Sequence, residues 1–335
     1  MSQSRPLRIA VIGAGMAGLA CAGALHRAGA AVALFDKSRR TGGRLATRRV
    51  DGLIFDHGAQ YATARDPAFA ETMQAMAAAG HAASWPAAGE GRWCGVPGMS
   101  ALARHMEQEG IGTLHAGRHV AFLHRDSQGG EGGDGDGWRV RHRDAADTRP
   151  GLVSDTGGDV AGPFDRVAVA LPAPQASGLL QPHAFAAEAA RADMAPCWAA
   201  MLAFDEATPA PDLLRPDAGP LRWISRDSSR PGRAATPECW VAHATPEWSR
   251  DHLEQPAETV LALLRAVFAA ETGIAAAPRH AAVHRWRYAL AEAPLGTPAL
   301  WDAAAGLGVC GDWCLGARVE AAFLSGRALA DMMAG

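Results

Sequence analysis

Short apolar runs alternating with helical periodicity mark the start of the chain. Residues 7–12 (LRIAVI) read as a buried strand, 16–28 as a helix and 31–36 (AVALFD) as a second strand, a β-α-β opening. Helical patterns recur at 67–79 and 98–109, the first opening on Asp66-Pro67, a capping residue with proline at the first helical position. Strand-like runs follow at 118–125, 138–143 and 165–171. Between the first two, residues 126–137 (DSQGGEGGDGDG) are half glycine, which predicts a mobile surface hairpin loop. From 172 to 295 the pattern changes: prolines cluster at 172–220, and tryptophans at 198, 223, 240, 248 and 286 sit on short β-like runs such as CWAAMLAF and CWVAHA. One amphipathic helix, 257–271, gathers Val260, Leu261, Leu264, Val267 and Phe268 on a common face. The chain then returns to α/β, with a strand at 307–310, a turn at Gly311-Asp312 and a helix from about 318. No internal repeat is visible.

Length and charge narrow the classes. A chain of 335 residues suggests about two domains. With 32 Lys+Arg against 35 Asp+Glu, spread without long blocks, it offers no footprint for nucleic acid and no polybasic membrane patch. A hydrophobic share of 48% excludes disorder over most of its length. The six cysteines are scattered, and Cys310-x3-Cys314 lacks the second ligand pair of a zinc site, so no metal and a reducing cytoplasm are expected. Residues 9–25 imitate a signal peptide, but their glycine spacing serves another purpose, and no other stretch approaches a membrane span. Lys37 is the only lysine, so any chemistry that needs one must use it.

That glycine spacing carries the first functional signal. Gly13-Ala14-Gly15-Met16-Ala17-Gly18 fits G-x-G-x-x-G between a strand and a helix. The first glycine permits the turn, the second lets backbone approach a pyrophosphate, and the third lets helix and strand pack closely. Asp36 ends the second strand, 23 residues after Gly13, where a carboxylate can hold a ribose hydroxyl. Lys37 follows it, and Gly42-Gly43-Arg44 then lets the chain fold back over a cofactor, the arginine being suited to a diphosphate. This addition resembles the FAD-binding domain of the glutathione-reductase-like superfamily, in the branch of amine oxidases and renalases. A second FAD-like element follows near the end, Gly311-Asp312 and then Arg318-Val319 opening a helix.

Longer runs narrow the resemblance. LFDKSRRTGGRLATRR (34–49), FDHGAQYATARDPAF (55–69), RWCGVPGMSAL (92–102), CWVAHATPEWSR (239–250), RWRYA (285–289) and GVCGDWCLGARVEAAFLSG (308–326) look like bacterial renalase. The resemblance implies an α/β fold: a Rossmann-like FAD-binding domain with an inserted, β-rich α+β substrate domain, as in p-hydroxybenzoate hydroxylase. We expect the FAD domain to be discontinuous, 1–60, 96–172 and 296–335, with 61–95 and 173–295 forming the substrate domain. It further implies noncovalent FAD, with Gly58, Ala59, Gln60 and Val120 joining the cofactor contacts. The implied activity is oxidation of misreduced 2- and 6-dihydro isomers of NAD(P), dioxygen becoming hydrogen peroxide.

The same resemblance places Tyr61, Thr63 and Arg65 along the substrate cavity. Trp286 and Tyr288, alternating on a strand, are candidates to wall a flat ring, and His243 to meet a carboxamide. Each has a plainer reading: strand aromatics as core, His243 as a satisfied structural group, Arg65 as partner of Asp66 or helix cap, Asp312 as a cap. Ala62 stands where that family carries a bulky aromatic, and the segment between Trp85 and Trp93 is short. Three rivals remain: an amine oxidase or dehydrogenase of the same superfamily, an aromatic monooxygenase, and a flavin-binding protein without activity. The first usually needs a lysine beside the flavin, which Lys37 does not readily supply; the second needs motifs that are absent.

Overall fold

The computed structural model describes residues 5–126, 136–147 and 158–335. Its chain forms two compact units, Met1–Gly43 with Ala103–Asp193 and Glu292–Gly335, and Arg44–Leu102 with Met194–Ala291. Most of the glycine-rich hairpin loop expected at 126–137 lies outside the described residues.

The first unit is built on a six-stranded sheet in the order Leu300–Asp302, Leu307–Val309, Arg166–Val169, Arg8–Ile12, Ala31–Asp36, Thr113–Ala116. All neighbours run parallel except the edge pair Leu300–Asp302 and Leu307–Val309. Ile9, Ala10, Val11 and Ile12 are all buried, as expected of a parallel strand covered on both faces. The helices Met16–Arg27 and Val319–Ala334 pack closely, and a Cβ added at Gly326 would stand 2.1 Å from the Ala17 carbonyl oxygen. A three-stranded meander, Arg118–Asp126, Gly137–Asp144 and Asp159–Phe164, completes the unit. Phe35 joins meander to sheet, with its ring near those of His115, His142 and Phe164.

The second unit centres on a five-stranded sheet, Leu213–Leu214, Leu221–Arg226, Glu238–Ala244, Asp193–Phe204, His280–Ala293. Side chains alternate across it. Leu202, Ile224 and Trp240 pack with Val260, Leu264 and Phe268 of the helix Ala257–Thr272, the face expected from its periodicity. Met201, Ala203 and Val241 point the other way, against Leu53 and Phe55 of the hairpin Arg48–Val50/Leu53–Phe55. A small sheet of Ala62–Thr63, Arg92–Gly95 and Ala82–Ser84 lies in the same unit. The expected cap also forms: Asp66 accepts from the N–H groups of Ala68 and Phe69 at the head of Pro67–Ala78.

The unit boundaries fall elsewhere than the sequence alone suggests. Residues 44–60 and 96–102 belong to the second unit. The hairpin covers its sheet, and Met99 N–H and Ser100 N–H donate to Asp56 and Thr47. Residues 173–193 stay with the first unit, largely as the short helices Ala173–Leu179 and Phe185–Ala190. The turn expected at Gly311-Asp312 leads at once into a short helix, Asp312–Leu315.

Candidate functional site

In the first unit the parallel strands end together. Gly13 follows Arg8–Ile12, Asp36 closes Ala31–Asp36, and Gly311 comes two residues after Leu307–Val309. Gly13 has φ +105°, and a Cβ there would lie 2.6 Å from the Ala170 carbonyl oxygen, so only glycine makes this turn. A Cβ at Gly18 would sit 1.8 Å from Gly13 O, because helix and strand are pressed together at that point. At Gly15 it would meet nothing within 4 Å. Open space beside Gly15 and a helix start without a side-chain cap together make an anion cradle, lined by Met16, Ala17 and Gly18 at the first turn.

Asp36 sets the shape of that cradle. Its Oδ2 accepts from Ala14 N–H at 2.7 Å and its Oδ1 from Ser38 N–H at 2.7 Å. Each oxygen keeps a lone pair, so the carboxylate can still accept a hydroxyl. Gly42 N–H donates to Ala14 O at 2.8 Å, a bridge that brings Gly43 against Gly15. Lys37 is exposed, and Val120 is buried on the first strand of the meander. Gly311 N–H donates to Ser325 Oγ at 2.9 Å, fixing the start of the segment where Asp312 is buried. Arg318 and Val319 open the terminal helix, again without a side-chain cap. The residues present therefore fit a phosphate-bearing cofactor: backbone N–H groups at two helix starts, a glycine gap and a carboxylate.

The cysteines near this region are inert. Cys310 and Cys314 are buried free thiols. Burial pushes Cys314 up to about 12, and hydrogen bonding with Cys21 together with burial raises Cys310 well above the usual thiol range. Neutral thiols are poor nucleophiles.

The remaining sequence candidates lie in the second unit. Arg44 Nη1 donates to Ala289 O at 3.1 Å, so part of its guanidinium serves the protein itself. Gly58 packs against the Arg44 carbonyl, which also accepts from Ala59 N–H at 2.8 Å. Gln60 is buried at the centre of a network. Its Oε1 accepts from Arg230 Nη2 at 2.6 Å, Ser225 Oγ at 2.9 Å and Trp223 Nε1 at 3.0 Å, while Nε2 donates to the carbonyls of Asp56 and Gly58. Beneath it, Asp56 and Asp227 pair with Arg230 and Arg233, four side chains almost wholly out of water. Burial raises the Asp227 carboxyl against the pull of both arginines, and the same carboxylates outweigh burial in raising Arg233.

This charged foundation was not singled out from the sequence. Its only trace there is two carboxylates and two arginines in FDHGAQY and DSSRPGR, segments 171 residues apart at Asp56 and Asp227.

Around Gln60 stand rings. Tyr61 lies 5.5 Å from Trp223, and Trp223 lies 6.2 Å from the buried Trp85. Thr63 pairs with Arg92 across the small sheet, whereas Arg65 is exposed. Ala62 is buried and pairs with Trp93 across the small sheet. Trp286 Nε1 donates to His57 O at 2.9 Å, and Trp286 stacks on His57 at 5.2 Å. Tyr288 follows on the same strand, partly buried. His243 Nε2 meets His57 O at 3.1 Å, so this nitrogen serves as a donor within the protein. Burial, with Arg222 nearby, drives His243 down to about 3. Burial and neighbouring charge hold His57 and His284 near about 4 each. All three imidazoles are neutral at pH 7.

Comparison with known proteins agrees with this construction. Residues 11–76 match the profile of an NAD(P)-binding Rossmann-like domain, and residues 69–334 that of the flavin containing amine oxidoreductases. Protoporphyrinogen oxidase 2, chloroplastic/mitochondrial, of Arabidopsis thaliana is 43% identical over 60 residues, 18% of this chain and 12% of the relative. Among solved structures, a candidate protoporphyrinogen oxidase of Exiguobacterium sp. 255-15 superposes with a TM-score of 0.75 at 12% identity, covering 98% of this chain and 99% of its own. Putrescine oxidase bound to putrescine gives a TM-score of 0.64 at 14% identity, covering 99% and 100%. An oxidoreductase of Methanosarcina mazei gives 0.62 at 16% identity, covering 97% and 100%. At such identities the likeness is one of fold, a mixed α/β fold with a Rossmann-like domain. The amine oxidoreductase profile spans most of the chain, and this protein belongs to that flavin-dependent family of oxidoreductases.

Proposed function

We propose that the protein binds FAD noncovalently and oxidises misreduced dihydronicotinamides, the 2- and 6-dihydro isomers of NAD(P), in the manner of a renalase. The first unit would hold the cofactor and the second the substrate, the division of labour of p-hydroxybenzoate hydroxylase, in a cytoplasmic enzyme. Gly13–Gly18 and Asp36 would take the diphosphate and ribose of the adenosine half, and the segment from Gly311 to Val319 the flavin half. Bound flavin would supply the electron acceptor, taking up the equivalent of a hydride from the substrate and passing the electron pair with protons to dioxygen as hydrogen peroxide.

The observation that carries this reading is the scarcity of bases beside the aromatic wall. His57, His243 and His284 are depressed to about 4, about 3 and about 4 by burial and neighbouring charge, and the only lysine, Lys37, lies exposed in the other unit. An amine must lose a proton before it can give up hydride. A dihydropyridine need not: losing hydride makes it aromatic and releases no proton. What the site must supply is orientation, for which Tyr61, Trp223, Trp286 and Tyr288 offer flat surfaces.

The test is anaerobic reduction. The yellow holoenzyme is mixed with borohydride-reduced NAD⁺, with pure 4-dihydro NADH, and with a panel of amines including putrescine. Rapid bleaching by the isomer mixture alone, reversed by air with peroxide formed, is the expected result. Bleaching by an amine alone would make this an amine oxidase and sink the proposal.

A further inference from the structure

Three guanidinium groups lie on the aromatic wall, and only one is neutralised. Arg230 lies 4.1 Å from the ring centre of Trp85 and is paired with Asp227 at 2.8 Å and Asp56 at 3.4 Å. Arg92 lies 4.5 Å from the ring centre of Tyr61, and Arg215 lies 5.1 Å from that of Trp223. Since Tyr61 and Trp223 are themselves 5.5 Å apart, Arg92, Tyr61, Trp223 and Arg215 form one continuous row. Among the described residues, no carboxylate pairs with Arg92 or Arg215.

The two cations are held rather than loose. Trp85 N–H donates to Arg92 O at 2.8 Å, closing the short turn Pro86–Ala88 that precedes the strand. Arg92 is part-buried, and its Nε is out of water without a hydrogen-bond partner among the described residues. Arg215, an exposed residue, donates through Nη2 to Ala88 O at 2.9 Å, which ties it to the same turn. A part-buried guanidinium with an unmet donor and no counter-ion gains most from an oxyanion that accepts two N–H bonds at once. Contact with the rings restricts both guanidinium groups, so less freedom is lost when that anion arrives.

We infer that Arg92 and Arg215 form a phosphate-binding site, which takes the phosphate of a dihydronicotinamide nucleotide while the neighbouring rings take its base. The inference rests on the dihydronicotinamide reading and extends it to the nucleotide half of the substrate. It also accounts for the loop between Trp85 and Trp93: its shortness brings Arg92 and the Ala88 carbonyl into one turn. A cationic amine meets two uncompensated positive charges there and is disfavoured.

Two readouts test it. In calorimetry, the FAD-loaded protein is titrated with inorganic pyrophosphate, against chloride at equal ionic strength; the glycine cradle is already filled, so the titration reports a second anion site. Saturable binding is expected, weakened roughly tenfold or more in Arg92→Gln and in Arg215→Gln, and kept in part by Arg92→Lys. In kinetics, the wild type should favour a dihydronicotinamide mononucleotide over the matching riboside by roughly tenfold or more in kcat/KM, and Arg92→Gln should bring that ratio close to one. Arg215 is exposed, so its replacement keeps the test open if the Arg92 variants fail to fold. Absence of saturable pyrophosphate binding, or binding unchanged in both glutamine variants, overturns the site. Arginine-dependent pyrophosphate binding in a protein that oxidises no dihydronicotinamide upholds the anion site and overturns only the reaction.

Discussion

Two regions of this molecule are built by opposite means. At Gly13–Gly18 the working groups are backbone N–H groups and empty space, and the one side chain that shapes the loop, Asp36, does so by accepting from Ala14 and Ser38 N–H. Around Gln60 the working groups are side chains, held by two carboxylates and two guanidinium groups that have left water. The first construction is sensitive to volume and the second to charge. A site made of backbone tolerates almost any side chain that points away, but not a methyl group in the gap. A site resting on buried ions tolerates no unbalanced removal, since the surviving partner is left charged and unsolvated.

Substitutions can break that contrast. The largest effect is expected at Gly18→Ala, whose methyl would have to displace the Gly13 backbone; we expect little folded, flavin-loaded protein, measured as yield and flavin absorbance. Gly15→Ala sharpens the point, because open space surrounds its Cβ: the apoprotein should fold with an unchanged melting temperature yet retain less flavin. A large loss of stability in Gly15→Ala would show that the gap is structural rather than a cradle.

Next in size is Arg230→Met. It leaves Asp56 and Asp227 buried with one cation fewer, and about 3–5 kcal/mol should be lost in urea denaturation. A loss below about 1 kcal/mol would mean that water reaches the cluster.

Acid should act on the second region too. His243 and His57 have folded values of about 3 and about 4, below their ordinary 6.5. The unfolded chain therefore binds protons first as pH falls. Stability present above about pH 6.5 is lost on the way down to those values, at up to about 1.4 kcal/mol per pH unit for each histidine. The urea midpoint should fall between pH 7 and pH 5, and His57→Phe should make that fall shallower. A midpoint independent of pH would contradict the burial of both rings. The smallest effect is expected at Asp66→Ala, where loss of two N–H contacts at the head of Pro67–Ala78 should cost about 1 kcal/mol.

The two regions also differ in how far the linear chain reveals them. The glycine loop, its flanking strands and helix, Asp36 and the Asp66 cap are each set by neighbours within a few tens of residues, and the structure places them where the pattern does. Gln60 and Tyr61 could be singled out through the GAQY segment, but the reason for their rigidity could not. It lies in Trp223, Ser225 and Arg230, which are 163, 165 and 170 residues from Gln60. His243 shows the limit most directly: a polar residue on an apolar strand suits a ligand contact, yet its Nε2 is met by His57 O, from another element of the same unit.

The amino-acid sequence by itself thus determined the parallel α/β frame, the cofactor loop and the scarcity of lysine, because strand alternation, glycine spacing and the presence of one lysine are properties of composition and local order. Tertiary structure decided which charges are buried together, which rings Arg92 and Arg215 cover, and that residues 44–60 fold with the second unit. Those depend on sheet register and on how a hairpin packs across a sheet, interactions that pair side chains by position in space and leave no periodic mark along the chain.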